Sequence, residues 1–397
     1  MHVVPEPARP FTAREECAVL RAGLRRRPQS AQLRLRLARR LNQLDAFDEC
    51  IALFDDTAPG QCDLAAAVQA AFALLAREAP GDNSRAEQFC ARAAQTAAND
   101  RERARALADQ AKALTRQGRP AAARDLLLRA LELDPHSILA LKRLAAPLLQ
   151  AGEADAVLAL TDGLLGRGVG HCRLFAVRSA ALAQLGRIDE ARELLGLEDF
   201  LHQRTIEAPA GWDSLQSFNA AVADEVMANA GFRYGRYGTA SEKTWRVDTP
   251  AAGKTPAVQA LLAGIAQTAA ARVAALGERE HPWLAARPAN AVLRSWSVVT
   301  GAEGREQLHN HPYGWMSGGY YPQVPAAVAE GRGPAGCLAF ALPEGTFGEA
   351  AARAFGEVLV RPREGLLTLF PSHAYHRTHP HGADGRRICI AFDIVAA

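Results

Sequence analysis

The chain has 397 residues, 49% hydrophobic, 22% charged and 6% aromatic, with a formal net charge of +3. That length allows two or three domains, each able to bury a core without disulfide or metal staples, and the composition excludes wholesale disorder and collagen-like structure. The charge is too small for the concentrated basic face of a nucleic-acid binder, and with no apolar run near the roughly 20 residues of a bilayer span, no membrane partner is expected.

The opening stretch, Met1-His2-Val3-Val4-Pro5, lacks the apolar core of a signal peptide, so export by that route is not expected. Cysteines 17, 50, 62, 90, 172, 337 and 389 are odd in number and scattered, without a Cys-x-x-Cys pair. That pattern excludes a zinc ribbon, disfavours a disulfide framework and places the protein in the reducing cytoplasm. Arg21, Arg25, Arg26, Arg27, Arg34, Arg36, Arg39 and Arg40 form the only local charge excess and read as the solvated side of two helices.

Gly118, Gly152 and Gly186 recur at a spacing of 34 residues, each after a leucine- and alanine-rich stretch. Small residues follow at Ala123 and Ala191, Leu127 and Ala130 continue one helical face, and Pro135 closes the best unit. The pattern resembles the tetratricopeptide (TPR) repeat, in which small side chains let paired helices approach and glycine permits the tight turn. Looser copies surround Leu44-Asp45-Ala46-Phe47 and Ala79-Pro80-Gly81-Asp82. A TPR-like helical solenoid is therefore expected over 1–203, with a concave surface of the kind that holds a peptide or protein partner.

The helical texture ends near Gln203–Trp212, and a second domain is expected over 204–397. Apolar spacing predicts helices at Ser214–Asn229 and Pro256–Leu276. From Ala291 onward short strands alternate with turns: Ala291–Val299, Trp315–Tyr321, Cys337–Ala341, Val358–Val360, Leu366–Phe370 and Arg387–Val395. The last puts Ile388, Ile390, Phe392 and Ile394 on one face and Arg387, Cys389, Ala391 and Asp393 on the other. Strands punctuated by turns such as Pro362–Gly365 indicate an antiparallel barrel or sandwich. No phosphate loop or dinucleotide fingerprint follows any of them. The fold class is α+β: an N-terminal TPR-like solenoid, then a C-terminal antiparallel barrel or sandwich.

Six of eleven histidines fall between 309 and 381. In Leu308-His309-Asn310-His311-Pro312 two imidazoles share one face of an extended segment. A third imidazole from a distant strand would complete the facial set with open positions that non-haem Fe(II) oxygenases need. A second histidine cluster follows 65 residues after His311.

Together with Met316–Tyr321, Gly336–Phe340, Val360–Ser372, Tyr375–Thr378 and Arg386–Asp393, these segments resemble the 2-oxoglutarate/Fe(II)-dependent oxygenases fused behind TPR repeats in bacteria. The resemblance implies a double-stranded β-helix, or jelly-roll barrel, that binds Fe(II) and 2-oxoglutarate. It implies His309, His311 and His376 as metal ligands and Arg387 as the bidentate partner of the co-substrate's distal carboxylate. It also implies co-substrate contacts from Ser317, from Cys389 (where such enzymes commonly carry serine) and from one of Tyr320 and Tyr321, which point to opposite faces of their strand. His311 stands where most relatives place a carboxylate, so it is either the third ligand or a residue behind the metal. His373, His379 and His381 read as loop or surface residues.

The expected activity is a hydroxylase: oxidative decarboxylation of 2-oxoglutarate to succinate and CO₂, coupled to hydroxylation of a peptide or protein side chain that the TPR-like part helps to present. Two alternatives stand beside it. One is a cupin-like three-histidine metalloenzyme that does not use 2-oxoglutarate; Trp315 and Met316 stand where a cupin carries glutamate. The other is a non-catalytic TPR scaffold. The residues leave the substrate, the hydroxylated atom and the oligomeric state open.

Overall fold

A computed structural model describes residues 1–55, 63–277 and 279–397, so Cys62 lies outside the described residues. The chain divides into two compact units, one of Ala13–Leu148 with Gly166–Val169, the other of Met1–Thr12, Leu149–Leu165 and Gly170–Ala397. This division differs from the expected one at 203/204. The helical texture continues past residue 148 into helices whose apolar faces serve the core of the second unit, and sequence texture carries no record of which core a helix joins.

The first unit consists of helix pairs. Asp100–Arg116 and Pro120–Leu133 form the clearest one, begun by Asn99, whose side chain accepts from the Glu102 N–H at 2.9 Å, and resumed at Pro120 in the first helical turn. Ala104, Ala108, Ala111, Ala123 and Ala130 are buried where the pair packs, the close approach that small side chains allow. Gly118 makes the intervening turn with φ +74°, a left-handed conformation that glycine adopts at no steric cost. Asp45 fills the equivalent turn after Ala31–Gln43 with φ +59°. The arginine-rich helices Ala13–Arg26 and Ala31–Gln43 are exposed as expected but partly paired: Arg21 donates to Glu49 at 2.6 and 2.7 Å, and Arg40 to Glu16 at 2.6 Å.

The second unit opens with β1 (His2–Pro5). Helices Ala154–Gly166, Cys172–Gln184 and Ile188–Leu195 follow, with the expected glycine turns at Gly152 and Gly186, both at φ +78°. The remaining strands are β2 (His202–Thr205), β3 (Arg233–Tyr234), β4 (Ser241–Val247), β5 (Asn290–Glu306), β6 (Met316–Gln323), β7 (Leu338–Phe340), β8 (Val358–Val360), β9 (Leu366–Pro371), β10 (His376–Thr378) and β11 (Arg387–Ala396). The larger sheet runs β2-β9-β6-β11-β5-β4-β3, with β1 added parallel to β5; the smaller runs β10-β7-β8.

The strands β1 to β4 and β10 are not among those expected; most are short or polar, and pairing partners hold them rather than an apolar period of their own. β11 lies between β5 and β6. Its Ile388, Ile390, Phe392 and Ile394 are fully buried, and Ile390 pairs with Tyr320 on β6. Helices Leu215–Met227 and Pro256–Leu276 match their expected spans closely. They pack on each other and against β6 and β1. Pro256–Leu276 is long and apolar enough to cross a bilayer by length and composition, contrary to expectation; here it buries Val258, Leu261, Ile265, Ala269 and Val273 within the unit.

Candidate metal centre

Three backbone links bring the distant histidines together. His309 N–H donates to the His376 carbonyl at 2.9 Å, His376 N–H returns the bond to His309 at 2.8 Å, and His311 N–H donates to the Ser372 carbonyl at 2.9 Å. The loop after β5 is thus stitched to the start of β10. Ring centroids lie 5.0 Å apart for His309 and His311, 4.3 Å for His309 and His376, and 4.9 Å for His311 and His376. One ligating atom from each lies within 4.8 Å of the others.

The outer nitrogens set the tautomers. His309 Nδ1 lies 2.7 Å from the Gln307 carbonyl and His376 Nδ1 lies 3.0 Å from that of Ala374. A carbonyl only accepts, so each Nδ1 carries the proton and each Nε2 presents a lone pair. His311 Nδ1 is held at 2.5 Å by the Asp393 carboxylate. Burial, with the neighbouring His311 adding to it, pushes His309 down to about 3, and burial beside both other imidazoles holds His376 well below its ordinary value. His309 and His376 are therefore neutral near neutral pH. His309 Nε2 and His311 Nε2 face each other at 3.1 Å. The lone pairs of His309 and His376 and a third imidazole, with one ligating atom from each within 4.8 Å of the others, form a donor set that fits a divalent metal. Three imidazoles suit Fe(II) among the first-row ions.

The same cavity contains Arg387. It is 3% exposed, with Nη1 on the Gly336 carbonyl at 2.7 Å and Nη2 on Thr378 Oγ1 at 3.1 Å. Among the described residues no carboxylate comes within salt-bridge distance of it. A buried guanidinium without an ion-pair partner is costly, so the pocket is complementary to an anion. Tyr321 and Cys389 line the cavity with Arg387. Burial raises both and keeps the phenol and the thiol protonated, the thiol up to about 12. Glu306 also lines this space; burial pushes its carboxyl up although Ser241 donates to it at 2.7 Å.

Of the expected site residues, His309, His311, His376, Arg387, Tyr321 and Cys389 meet in one cavity. Tyr320 does not: its hydroxyl donates to Asn219 on the helix side of the sheet. Ser317 lies behind His311, with Oγ 3.0 Å from Nδ1, donating to Asp393 at 2.6 Å, and it is absent from the cavity wall. His373 and His381 are buried, contrary to the surface reading. His373 Nε2 lies 2.8 Å from the Leu194 carbonyl, and His381 Nδ1 accepts from the Ala383 N–H at 3.2 Å. His379 is paired with Glu357 at 3.2 Å. Sequence reasoning assigned no role to Asp393, Thr378, Glu306 or Trp296. The face assignment of β11 carried a signal for Asp393, and the Tyr375–Thr378 segment one for Thr378.

Fold and site together make the three histidines a candidate non-haem metal centre, in a chain that also carries helical repeats. Residues 294–393 match the family described as "Putative 2OG-Fe(II) oxygenase", and residues 104–146 match the tetratricopeptide repeat. The chain thus carries TPR-like sequence and a segment that matches the 2OG-Fe(II) oxygenases, a class that uses Fe(II) and 2-oxoglutarate. Similar solved structures include a prolyl-4-hydroxylase from Pseudomonas putida (16% identity, covering 54% of this chain and 99% of that one, TM-score 0.34). YrrB, a TPR protein with an unusual peptide-binding site, is 16% identical over 45% of this chain and 93% of its own, with TM-score 0.33. The non-haem alpha ketoglutarate dependent epimerase SnoN is 18% identical over 54% of this chain and 84% of its own, with TM-score 0.34. At TM-scores of 0.33 to 0.34 these likenesses carry no functional argument. No curated protein matches the sequence.

Proposed function

We propose that the protein is an Fe(II)- and 2-oxoglutarate-dependent dioxygenase that hydroxylates a peptide or protein side chain, with the TPR-like part helping to present it. The observation that carries this reading is a single cavity in which three imidazoles and a buried guanidinium, without a salt-bridge partner among the described residues, face the same space. One set of groups demands a cation and the other an anion, which is the complementarity a metal-chelating dicarboxylate satisfies.

In this reading His309, His311 and His376 hold the metal, and Arg387 takes the distal carboxylate of 2-oxoglutarate in its planar fork, oriented by Thr378 and the Gly336 carbonyl. Tyr321 and Cys389, kept protonated by burial, offer their O–H and S–H to the same anion, and Phe370 beside His376 keeps water from that side. The bound metal and co-substrate supply the oxidising chemistry, while the chain supplies binding, orientation and exclusion of solvent. The cupin-like alternative loses ground because Arg387 has no role in it and because Trp315, where a cupin carries glutamate, is buried and stacked on Trp283 at 4.4 Å. Six cysteines outside any disulfide among the described residues support placement in the cytoplasm.

Anaerobic addition of Fe(II) and 2-oxoglutarate is expected to give a weak visible charge-transfer band, lost in His376→Ala, and aerobic incubation is expected to release succinate. Arg387→Ala is expected to retain metal while losing 2-oxoglutarate affinity by about 100-fold or more, the effect of removing a charged partner from a desolvated pair. Equal co-substrate affinity in the two proteins, or wild type without the band, refutes the reading.

A further inference from the structure

We propose that Asp393 is a positioning residue that delivers, through His311, the negative charge that sites of two histidines and one carboxylate place directly on the metal. The proposal rests on the reading of the three histidines as ligands. Two of them turn Nδ1 onto neutral carbonyls, those of Gln307 and Ala374, and His311 alone turns it onto a carboxylate, at 2.5 Å.

The register of the sheet builds this arrangement. Asp393 on β11 pairs with Ser317 on β6, so carboxylate and hydroxyl leave neighbouring strands on one face beneath the ring. Ser317 Oγ lies 2.6 Å from Asp393 Oδ1 and 2.7 Å from Ser372 Oγ, which ties the carboxylate to β6 and to the turn after β9. Gly314 leaves the network its space, since a Cβ there would run into Ser372 and Asp393.

Charge completes the case. The Asp393 side chain is 17% exposed, and His311 is its only ionic partner among the described residues. Three neutral imidazoles leave a divalent metal with its full charge; Asp393 behind His311 reduces the cluster by one, to the total that two histidines and one bound carboxylate reach. A carboxylate on the N–H side of a ligating imidazole also raises the donor strength of the opposite nitrogen and fixes the ring. The position where relatives carry a ligating carboxylate is thus filled by an imidazole whose carboxylate stands one hydrogen bond further out.

Asp393→Asn keeps the side-chain volume and the accepting oxygen and removes only the charge. In full-length protein titrated with Co(II), without co-substrate, it is expected to bind about 10- to 100-fold more weakly than wild type. Asp393→Glu is expected to recover part of that loss, and the metal-free melting temperatures of all three proteins to agree within a few degrees. Co(II) affinity in Asp393→Asn equal to wild type overturns the proposal while leaving the three-histidine site standing. Wild type that binds no Co(II) overturns the site reading itself. If the variants do not fold, the Zn(II)-loaded wild type decides by NMR: the imidazole N–H proton of His311, donated to a charged acceptor, is expected furthest downfield of the three ligand rings. Three N–H protons with equivalent shifts count against the proposal.

Discussion

Gly318 shows how tightly single residues constrain this site. A Cβ there would collide with the Thr368 carbonyl and the Phe392 ring, because β9 and β11 flank the strand and the residue is buried between them. Gly318→Ala is therefore expected to destabilise the protein by about 1–3 kcal/mol, the usual cost of overpacking a filled core, measured by urea unfolding. An unchanged midpoint would mean that the sheet opens there more readily than its packing indicates. Neighbouring Gly319 has a related duty on the cavity side, where a Cβ would approach Cys389 Sγ at 2.9 Å. A motif read for its tyrosines thus owes part of its form to its glycines. Tyr320 and Tyr321 divide the two sides of β6 between them, and only the packed helix bearing Asn219 determines which tyrosine is structural.

Helix turns and strand edges provide the next scale. Gly118 and Asp45 occupy corresponding turns at φ +74° and +59°, yet only glycine is free of the left-handed penalty of roughly 1–2 kcal/mol. Gly118→Ala is expected to lower stability by about 1 kcal/mol and Asp45→Gly to leave it level or raise it, measured by denaturant unfolding; a destabilised Asp45→Gly would show that its side chain contributes more than its backbone costs.

At the strand edge, Asp248 gathers three guanidiniums: Arg246 at 2.5 Å, Arg233 at 3.0 Å and Arg236 at 3.1 Å. Burial alone would raise its carboxyl, but Arg246 and Arg236, with Arg233 adding to them, outweigh that and hold it below the usual carboxylate range. A depressed folded-state pKa contributes stability above the unfolded value of about 3.9 and loses it as pH falls through the folded one. Asp248→Asn is therefore expected to cost about 3 kcal/mol at pH 7, in the range for breaking a buried pair, with the gap to wild type closing below about pH 4. A gap as wide at pH 3 as at pH 7 would assign the loss to packing rather than charge.

Across the whole molecule, the oxygenase core draws on chain from both ends of the sequence. β1 adds to β5, and Cys172 lies 3.7 Å from the Trp315 carbonyl beside the buried His373. A fragment of residues 204–397, cut where the sequence texture changes, lacks these elements. It is expected to melt at least 10 °C lower than full-length protein or to be recovered insoluble, since it exposes apolar surface those elements cover. A soluble fragment with the full-length melting temperature would show that the N-terminal strand and helices are dispensable to that core.

What the amino-acid order alone determined follows from periods and local chemistry. A 34-residue glycine period dictates repeated helix turns, 3.6-residue apolar spacing dictates the two long helices, and strict alternation in β11 separates an isoleucine face from one carrying Arg387, Cys389 and Asp393. The His-x-His spacing with a later histidine was enough to indicate a metal. Tertiary structure alone decided the rest. The division into two units, the partner of Asp393, the burial of His373 and His381 and the separate duties of the two tyrosines all depend on strand register and on which helix covers which face. Those are contacts between segments remote in the chain, and no local period encodes them.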